Sequence, residues 1–406
     1  MLSHYFDSHR GGIEFVARDM FRFVADRDCE ITWAAADASA PPQRDDDHTR
    51  ALPLASSNRL DQAVGVPFPV PKFSAARKLA SAVRDCDVVL LHDCLYLSHI
   101  AAFLCAKVFR VPVIIVQHTG KLTSSNPALR AGMSAATAVV ARYMLRSASQ
   151  VVFISETTRA YFRGVPFQRS PVVVFNGVDA ARFCPPSSQA EKHTLRERFG
   201  IPSSGHTALF VGRFVEAKGI HVLRHLASMA PDVTWVFAGN GPLDPNEAGL
   251  PNVKVLSDMR QQDVADLYRA CNVLVLPSKR EGFPLVIQEA LACGLPVVCT
   301  ADITTADEAL ADLVRGVPLT TGDDRASALD FLSAIRDVMQ SGMDQREVER
   351  RSQFVQSRYG RESAVACYRE IIRRAVATGG RKHTKSSEPA SAAVKYRTHV
   401  PGKELE

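Results

Sequence analysis

Two glutamates eight positions apart, Glu281 and Glu289, enclose the segment Gly282-Phe283-Pro284-Leu285. Proline has a fixed φ and no N–H, so Pro284 suits the first position of a helix. Gly294 closes that helix, and Pro296 stands just beyond. Glu289 then lies in the second turn, roughly 7 Å along the axis from Pro284 at 1.5 Å per residue. The amides of Gly282, Phe283 and Leu285 fall between the two carboxylates, at the positive end of the helix dipole, and form an anion site. Carboxylates cannot bind a phosphate held there, so they are left to hold hydroxyls on either side of it. Ribose hydroxyls, diphosphate and sugar hydroxyls follow one another in that order in a nucleoside diphosphate sugar. The ordinary alternative is a solvated helix glutamate and a loop charge. It has also to account for Gly-Phe-Pro at the helix mouth.

Three further groups invite the same question. Arg213 and Lys218 flank a loop, Gly212 to Gly219, that leads into a helix from Ile220. Two cations at a helix N-terminus repel each other and the dipole unless an anion intervenes, although two solvated charges are the plainer reading. His118 ends the apolar run Val113 to Val116, at the carboxyl end of a parallel strand where α/β sheets bind ligands. A histidine there is more often structural than functional. Gly11 and Gly12 permit a tight turn and close approach of backbone to a ligand, as many plain turns also do.

Taken together these motifs resemble the retaining glycosyltransferases of family 4, whose signature is a Glu-x7-Glu pair, here Glu281 and Glu289. The resemblance runs from Gly11 to about Ala375. It implies the GT-B fold: an α/β architecture of two Rossmann-like doubly wound domains facing across a cleft. It also implies roles. Arg213 and Lys218 match the Gly-Arg-x4-Lys-Gly that holds the donor diphosphate. His118 matches the histidine that faces the donor sugar. Gly12 belongs to the glycine loop that approaches donor phosphate and acceptor. Glu281 would hold the donor sugar hydroxyls and Glu289 the ribose, with Gly282, Phe283 and Leu285 lending amides. Glu281 and His118 are thus the catalytic candidates. No metal is implied, because basic residues and helix amides stabilise the leaving diphosphate. The nucleoside diphosphate sugar is a co-substrate, and no cofactor is expected. Two departures stand out. Ser257-Asp258-Met259 replaces a common glycine turn, and Asp302 to Asp307 replaces a Gly-Gly-x-x-Glu loop that borders the sugar pocket in relatives.

The elements that must position these groups alternate strand and helix. Met1 to Phe6 reads as the end of a first strand, shorter than is usual before the glycine pair in this family. Ile31 to Ala36, Val88 to Leu91, Val113 to Val116 and Val151 to Ser155 follow as strands, and residues 38 to 58 as a solvated loop. A long helix is predicted over Asn126 to Ser147. His92 ends a strand as His118 does and reads as structural or peripheral. Asn176-Gly177-Val178-Asp179 is a structural turn, with Asp179 capping the segment after it. The predicted domains are 1–182 on the acceptor side and 183–360 on the nucleotide-sugar side. A terminal helix over 361–377 crosses back to the first domain, and 378–406 forms a disordered tail.

Composition sets the limits. The chain has 406 residues, 46% of them apolar, which suits two soluble domains of about 180 residues each. Its longest uncharged apolar stretches, Cys94 to Ala106 and Val111 to Val116, are too short to span a bilayer. Nine scattered cysteines without a Cys-x-x-Cys pair indicate a reducing cytoplasm. His221 and His225 have metal-like spacing but no accompanying carboxylate motif, so a solvated face is expected. The formal net charge is +6. Between Cys94 and Val178, nine Lys and Arg face one acidic residue, Glu156. Without a nucleic-acid motif, that surface points to anionic lipid head groups and not to nucleic acid.

The sequence therefore predicts a cytoplasmic, metal-independent, retaining hexosyltransferase-type glycosyltransferase, with peripheral docking at the inner face of the membrane. Its partners would be a nucleotide-sugar donor, a glycan or lipid-linked acceptor of the kind used in polysaccharide or glycolipid synthesis, and an anionic membrane surface. The alternatives are a GT-B sugar-nucleotide epimerase or hydrolase, and a non-catalytic nucleotide-sugar-binding protein.

Overall fold

Two parallel sheets carry the chain. The computed structural model describes residues 1–9, 11–42, 47–57, 69–120, 127–279, 281–341 and 344–379. Lys121, Asn126, Arg280 and the tail from residue 380, all within stretches discussed above, lie outside the described residues.

In the second lobe the strands are β9 (His206–Val211), β10 (Val233–Ala238), β11 (Val253–Leu256), β12 (Val273–Leu276), β13 (Val297–Thr300) and β14 (Val314–Val317). Their spatial order is β11-β10-β9-β12-β13-β14, and every pairing is parallel. The order reverses between β9 and β12. Ligands of doubly wound sheets bind at such a switch point, beyond the carboxyl ends of the strands. The loop with Arg213 and Lys218 follows β9, and the loop with Glu281 follows β12. Both motifs therefore meet where the topology leaves a crevice. β12 and β13 are buried throughout, as expected for central strands covered by helices on both faces.

The first lobe repeats the plan. β1 (Ile31–Ala36) pairs with β2 (Thr49–Leu54), and β5 (Val89–His92), β6 (Val113–Gln117), β7 (Gln150–Phe153) and β8 (Val172–Val173) follow in parallel. Two short strands, β3 (Ser56–Ser57) and β4 (Val70–Pro71), pair antiparallel beside them. Met1 to Phe6 does not form a regular strand. Met1 to His4 nonetheless lies between β1 and β5: Leu2 bridges Ala34 and Leu91, the Ala34 amide donates to the Met1 carbonyl, the Ser3 amide to the Ala34 carbonyl and the Ala36 amide to the His4 carbonyl. The Ser3 hydroxyl donates to the Tyr5 carbonyl at 2.6 Å, and the Phe6 amide donates to Ser39 Oγ at 2.8 Å, so side-chain bonds take over beyond His4. Residues 38 to 58 are not simply a loop, because β2 and β3 lie there. The register of β2 against β1 buries Thr49 and Leu54 at its ends.

The long helix is present but changes pitch. Pro127–Ala136 runs into a π turn, Thr137–Ala141, and on into Arg142–Ser147. Thr137 Oγ1 donates to the Met133 carbonyl at 2.9 Å, a side-chain bond in the turn before the widened one. The chain returns to the first lobe at its end. The amide of Val178 donates to the Tyr359 carbonyl and the Arg361 amide to the Val178 carbonyl, both within 3.1 Å. Gly177 has no room for a Cβ, which would stand 2.7 Å from Arg361 Cα. The helix Arg361–Thr378 then packs Tyr368 and Ala375 into the same core as Phe6, Phe21 and Trp33. Among the described residues no helix is long and apolar enough to cross a membrane.

Candidate active site

The loop after β9 lies against the loop after β12. Gly219 makes this contact with φ +75°, and a Cβ there would stand 2.3 Å from the Pro277 carbonyl oxygen. Only glycine takes that backbone conformation at that distance without strain. The Lys279 amide donates to the Ala217 carbonyl at 2.8 Å and fixes the two loops together. Lys218 Nζ is thereby brought onto Glu281 Oε1 as an ion pair, with side chains 23% and 20% exposed. Arg213 is exposed on the same loop. Its neighbour Phe214 is tied to the next turn, with its amide donating to the Asn240 carbonyl at 2.8 Å.

The helix that separates the two glutamates spans Leu285–Ala292. Pro284 is its N-cap and not its first helical residue: φ is −66° but ψ is 129°, so the chain is still extended there. Leu285 and Val286 thus supply the first helical amides. Among the described residues, neither they nor Gly282 and Phe283 donate to another protein group. Gly294 ends the helix with φ +72°. Glu289 faces a crevice with Arg18, Asp19, Asn176, Arg182 and Gln261. Tyr268 donates its hydroxyl to Glu289 Oε2 at 3.0 Å. Burial pushes the Glu289 carboxyl up to about 7, against the pull of that hydrogen bond and of Arg182 and Arg18, while Asp19 adds to the rise.

The first lobe closes the other side. Gly12 opens the helix Gly12–Phe23, and a Cβ on it would lie 3.9 Å from Leu285 Cδ1 of the second lobe. Gly11 covers the buried carboxylate of Glu14, whose Oε2 would be 2.1 Å from an added Cβ. Glu14 pairs with His4 at 2.9 Å, and His4 stacks on Tyr96 at 4.5 Å. Burial alone would raise the Glu14 carboxyl; the hydrogen bond and charge of His4 hold it below its usual value.

His118 sits at the end of β6, buried. Its amide donates to Asp93 Oδ1 at 2.7 Å, and Thr119 donates its amide and hydroxyl to the same carboxylate at 3.1 and 2.6 Å. Asp93 reaches both by adopting φ +70°. His118 Nε2 and His92 Nδ1 are 2.9 Å apart. Burial lowers the pKa of both rings, and for His92 the neighbouring His118 adds to it. Gly282 lies beside His118, Thr158 and Ile154.

Thus Gly12, His118, Gly282, Leu285, Lys218 and Glu281 line one seam between the lobes, while Glu289 sits one helical turn further in. Sequence reasoning sets His92 aside as structural or peripheral and passes over Asp93, Glu14 and Tyr268. Adjacent polar residues at a strand end, His92-Asp93, are a signal for two of them; nothing local marks Tyr268. The two departures from the family pattern also take shape. Asp258 adopts φ +57°, so the turn persists with an aspartate in the left-handed region, and Asn240 donates to its side chain at 3.1 Å. Asp302 to Asp307 contains most of a short helix, Ala301–Thr304, held to the first lobe. The Glu156 amide donates to the Ala306 carbonyl at 2.9 Å, and Thr157 and Thr305 hydroxyls are 3.0 Å apart. His221 is partly exposed and His225 exposed. Among the described residues, no three His, Cys, Asp or Glu side chains are placed to hold a metal ion.

The profile described as Glycosyltransferase Family 4 matches residues 10–182, and that described as Glycosyl transferases group 1 matches residues 191–355. A D-inositol 3-phosphate glycosyltransferase of Xylanimonas cellulosilytica is 30% identical over 358 residues, covering 80% of this chain and 83% of that protein. The chain is a group 1 glycosyltransferase. A second relative of this glycosyltransferase, the D-inositol 3-phosphate glycosyltransferase of Mycolicibacterium smegmatis, is 30% identical over 66% of this chain and 64% of that one. Its fold is shared with sucrose-phosphate synthase of Thermosynechococcus elongatus, at a TM-score of 0.69 and 17% identity over 93% of this chain and 98% of that one. HepE of Anabaena in complex with UDP-glucose aligns at a TM-score of 0.68 and 19% identity, over 92% and 98%. The glycosyltransferase has the GT-B fold expected of it, with two α/β lobes of parallel sheet.

Proposed function

We propose that this glycosyltransferase moves a sugar from a nucleoside diphosphate sugar to an acceptor hydroxyl with retention of anomeric configuration, without a tightly bound metal. One observation carries the reading. The Lys218–Glu281 ion pair stands at the mouth of the Leu285–Ala292 helix, Glu289 lies in its second turn, and Gly12 and His118 face that mouth from the other lobe. In this reading the donor diphosphate enters between Lys218, Arg213 and the amides of Gly282, Phe283, Leu285 and Val286. Glu289 takes the ribose hydroxyls. Glu281, freed or shared by Lys218 as phosphate arrives, orients the sugar, and His118 hydrogen-bonds it from the first lobe.

The bond from the anomeric carbon to the β-phosphate oxygen breaks, and its electron pair stays on the phosphate. Cations and helix amides already in place stabilise that charge. The acceptor oxygen bonds to the anomeric carbon on the same face, and its proton goes to the leaving phosphate oxygen. Binding of UDP-glucose by HepE, a protein of the same fold, supports the donor class. The deciding experiment incubates the protein with UDP-, GDP- and ADP-sugars and candidate acceptors in chelator, and reads the anomeric configuration of the product by NMR. Inverted product, or activity abolished by chelator, overturns the corresponding part of the reading. Free sugar formed without acceptor would favour a hydrolase.

For the acceptor, a glycan or lipid-linked hydroxyl at a membrane surface is favoured by one exposed face of the first lobe. Leu104 and Val108 on the helix Leu97–Phe109, and Val139 and Tyr143 on the long helix, are 54 to 76% exposed. Lys107, Arg142 and Arg146, also exposed, stand on the same two helices. The rings of Phe103 and Tyr143, 6.1 Å apart, join the helices, and Lys107 donates to the Ser147 carbonyl. Apolar tips among cations suit an anionic lipid surface. The names of the relatives favour a second reading, a phosphorylated polyol acceptor. A product carrying inositol phosphate and no dependence on vesicles would select it.

A further inference from the structure

Two buried imidazoles share one proton at the end of β5 and β6. We infer that His92 is a positioning residue: it donates from Nδ1 to His118 Nε2 and so holds His118 in the tautomer that presents Nδ1–H to the cleft.

The geometry leaves two arrangements. His92 Nδ1 and His118 Nε2 are 2.9 Å apart, with His92 wholly buried and His118 7% exposed. Each neutral imidazole carries one N–H, and only one of the facing nitrogens can donate. His92 Nε2 is buried and has no partner among the described residues. Were His92 to accept at Nδ1, its own proton would sit on Nε2 as an orphaned buried N–H, an arrangement that protein interiors avoid. With Nδ1–H donated to His118, Nε2 is a bare lone pair. His118 Nε2 is then an acceptor, and its proton lies on Nδ1, the nitrogen left to the cleft.

Both rings stay neutral in this arrangement. Around His118 the charged and titratable groups are Asp93 and Glu14, which favour its cation, and His92 and His4. Around His92 they are His118, His99, His4 and the Met1 amino group. Burial outweighs the two carboxylates at His118 and lowers its pKa. A neutral Nδ1–H is a fixed hydrogen-bond donor to an oxygen of the substrate, and not a proton source. The inference rests on the reading that His118 faces the sugar, but its test is separate from that reading.

The experiment is long-range 1H–15N correlation of the imidazoles, with the kinetics of two variants. Wild-type protein is expected to show a protonated Nδ1 and a bare Nε2 on His118. His92→Asn places an amide donor near the Nδ1 position and should retain that tautomer and most of kcat. His92→Phe fills the space without a donor. It should shift His118 toward Nε2–H or a mixture and lower kcat about tenfold or more with little change in donor KM. A wild-type His118 protonated at Nε2, or a folded His92→Phe protein with His118 still wholly Nδ1–H, overturns the inference. The wild-type spectrum decides the tautomer even if His92→Phe does not fold. Unchanged activity in His118→Ala would overturn the role of His118 and leave the tautomer result intact.

Discussion

Gly282 of the second lobe lies so near His118 of the first that a Cβ on Gly282 would stand 2.8 Å from the His118 carbonyl oxygen and 3.2 Å from Thr158 Oγ1. A backbone carbonyl cannot swing aside as a side-chain tip can. Gly282→Ala should therefore hold the lobes apart at the seam that joins the two halves of the site. Activity should fall about tenfold or more while thermal stability changes little, and small-angle scattering should show a larger radius of gyration. An active Gly282→Ala enzyme of unchanged radius would mean that the seam opens during turnover.

Lys218 and Glu281 form an ion pair at the helix mouth. Lys218→Ala should weaken nucleoside diphosphate binding by about 1.5–3 kcal/mol, the contribution of a hydrogen bond to a charged group. Calorimetry on the folded variant checks this, and unchanged affinity rules the role out. Glu281→Gln should spare free nucleoside diphosphate and reduce transfer, whereas Glu289→Gln should reduce affinity for both. Equal weakening by both glutamine variants would refute this division.

Glu289 carries a pH signature. Its carboxyl stands at about 7 in the folded protein against 4.5 for an ordinary glutamate. Between those values the folded state keeps a proton that the unfolded chain has lost. The contribution is fully present below about pH 4.5 and is lost as pH rises through about 7, with a slope of at most about 1.4 kcal/mol per pH unit. Glu289→Gln should remove this component, so urea unfolding at pH 5 and pH 8 should differ less for the variant than for the wild type. Identical differences would place the Glu289 titration elsewhere.

The exposed face with Leu104, Val108, Val139 and Tyr143 should bind vesicles containing anionic lipid and release them as salt is added. Arg142→Ala with Arg146→Ala should reduce sedimentation with such vesicles severalfold, and Leu104→Ser with Val108→Ser should reduce it further. Equal binding to neutral vesicles, or none to either kind, would refute a membrane surface.

Much of the architecture is legible from local pattern. Uniformly apolar runs such as Val273 to Leu276 identify central parallel strands, because both of their faces are covered. The spacing of Glu281 and Glu289 about a Gly-Phe-Pro turn identifies the helix Leu285–Ala292 as the candidate anion site, since helix geometry places Glu289 one turn beyond the mouth that Glu281 precedes. Arg213 and Lys218 stand out because two cations flank a loop at a helix N-terminus, and His118 because it follows the carboxyl end of a strand. The misreadings are instructive in the same terms. Pro284 lies one position outside the helix it was expected to open, because a proline φ serves equally at a cap and at a first turn, and only ψ separates them. β2 reads as loop from its own residues, because its pattern becomes interpretable only once β1 lies beside it.

What the sequence determined alone was the set of chemical groups and the elements that carry them, because periodicity and turn chemistry act over a few residues. What only the tertiary structure decided was which groups touch. Lys218 meets Glu281 across 63 residues because Gly219 can lie against Pro277. His92 meets His118 because β5 and β6 are neighbours in register. Glu289 gained its raised carboxyl from burial among Tyr268, Arg18, Asp19 and Arg182, which come from three separate parts of the chain. Such contacts depend on the register and closure of two sheets, and no local stretch of the chain encodes those.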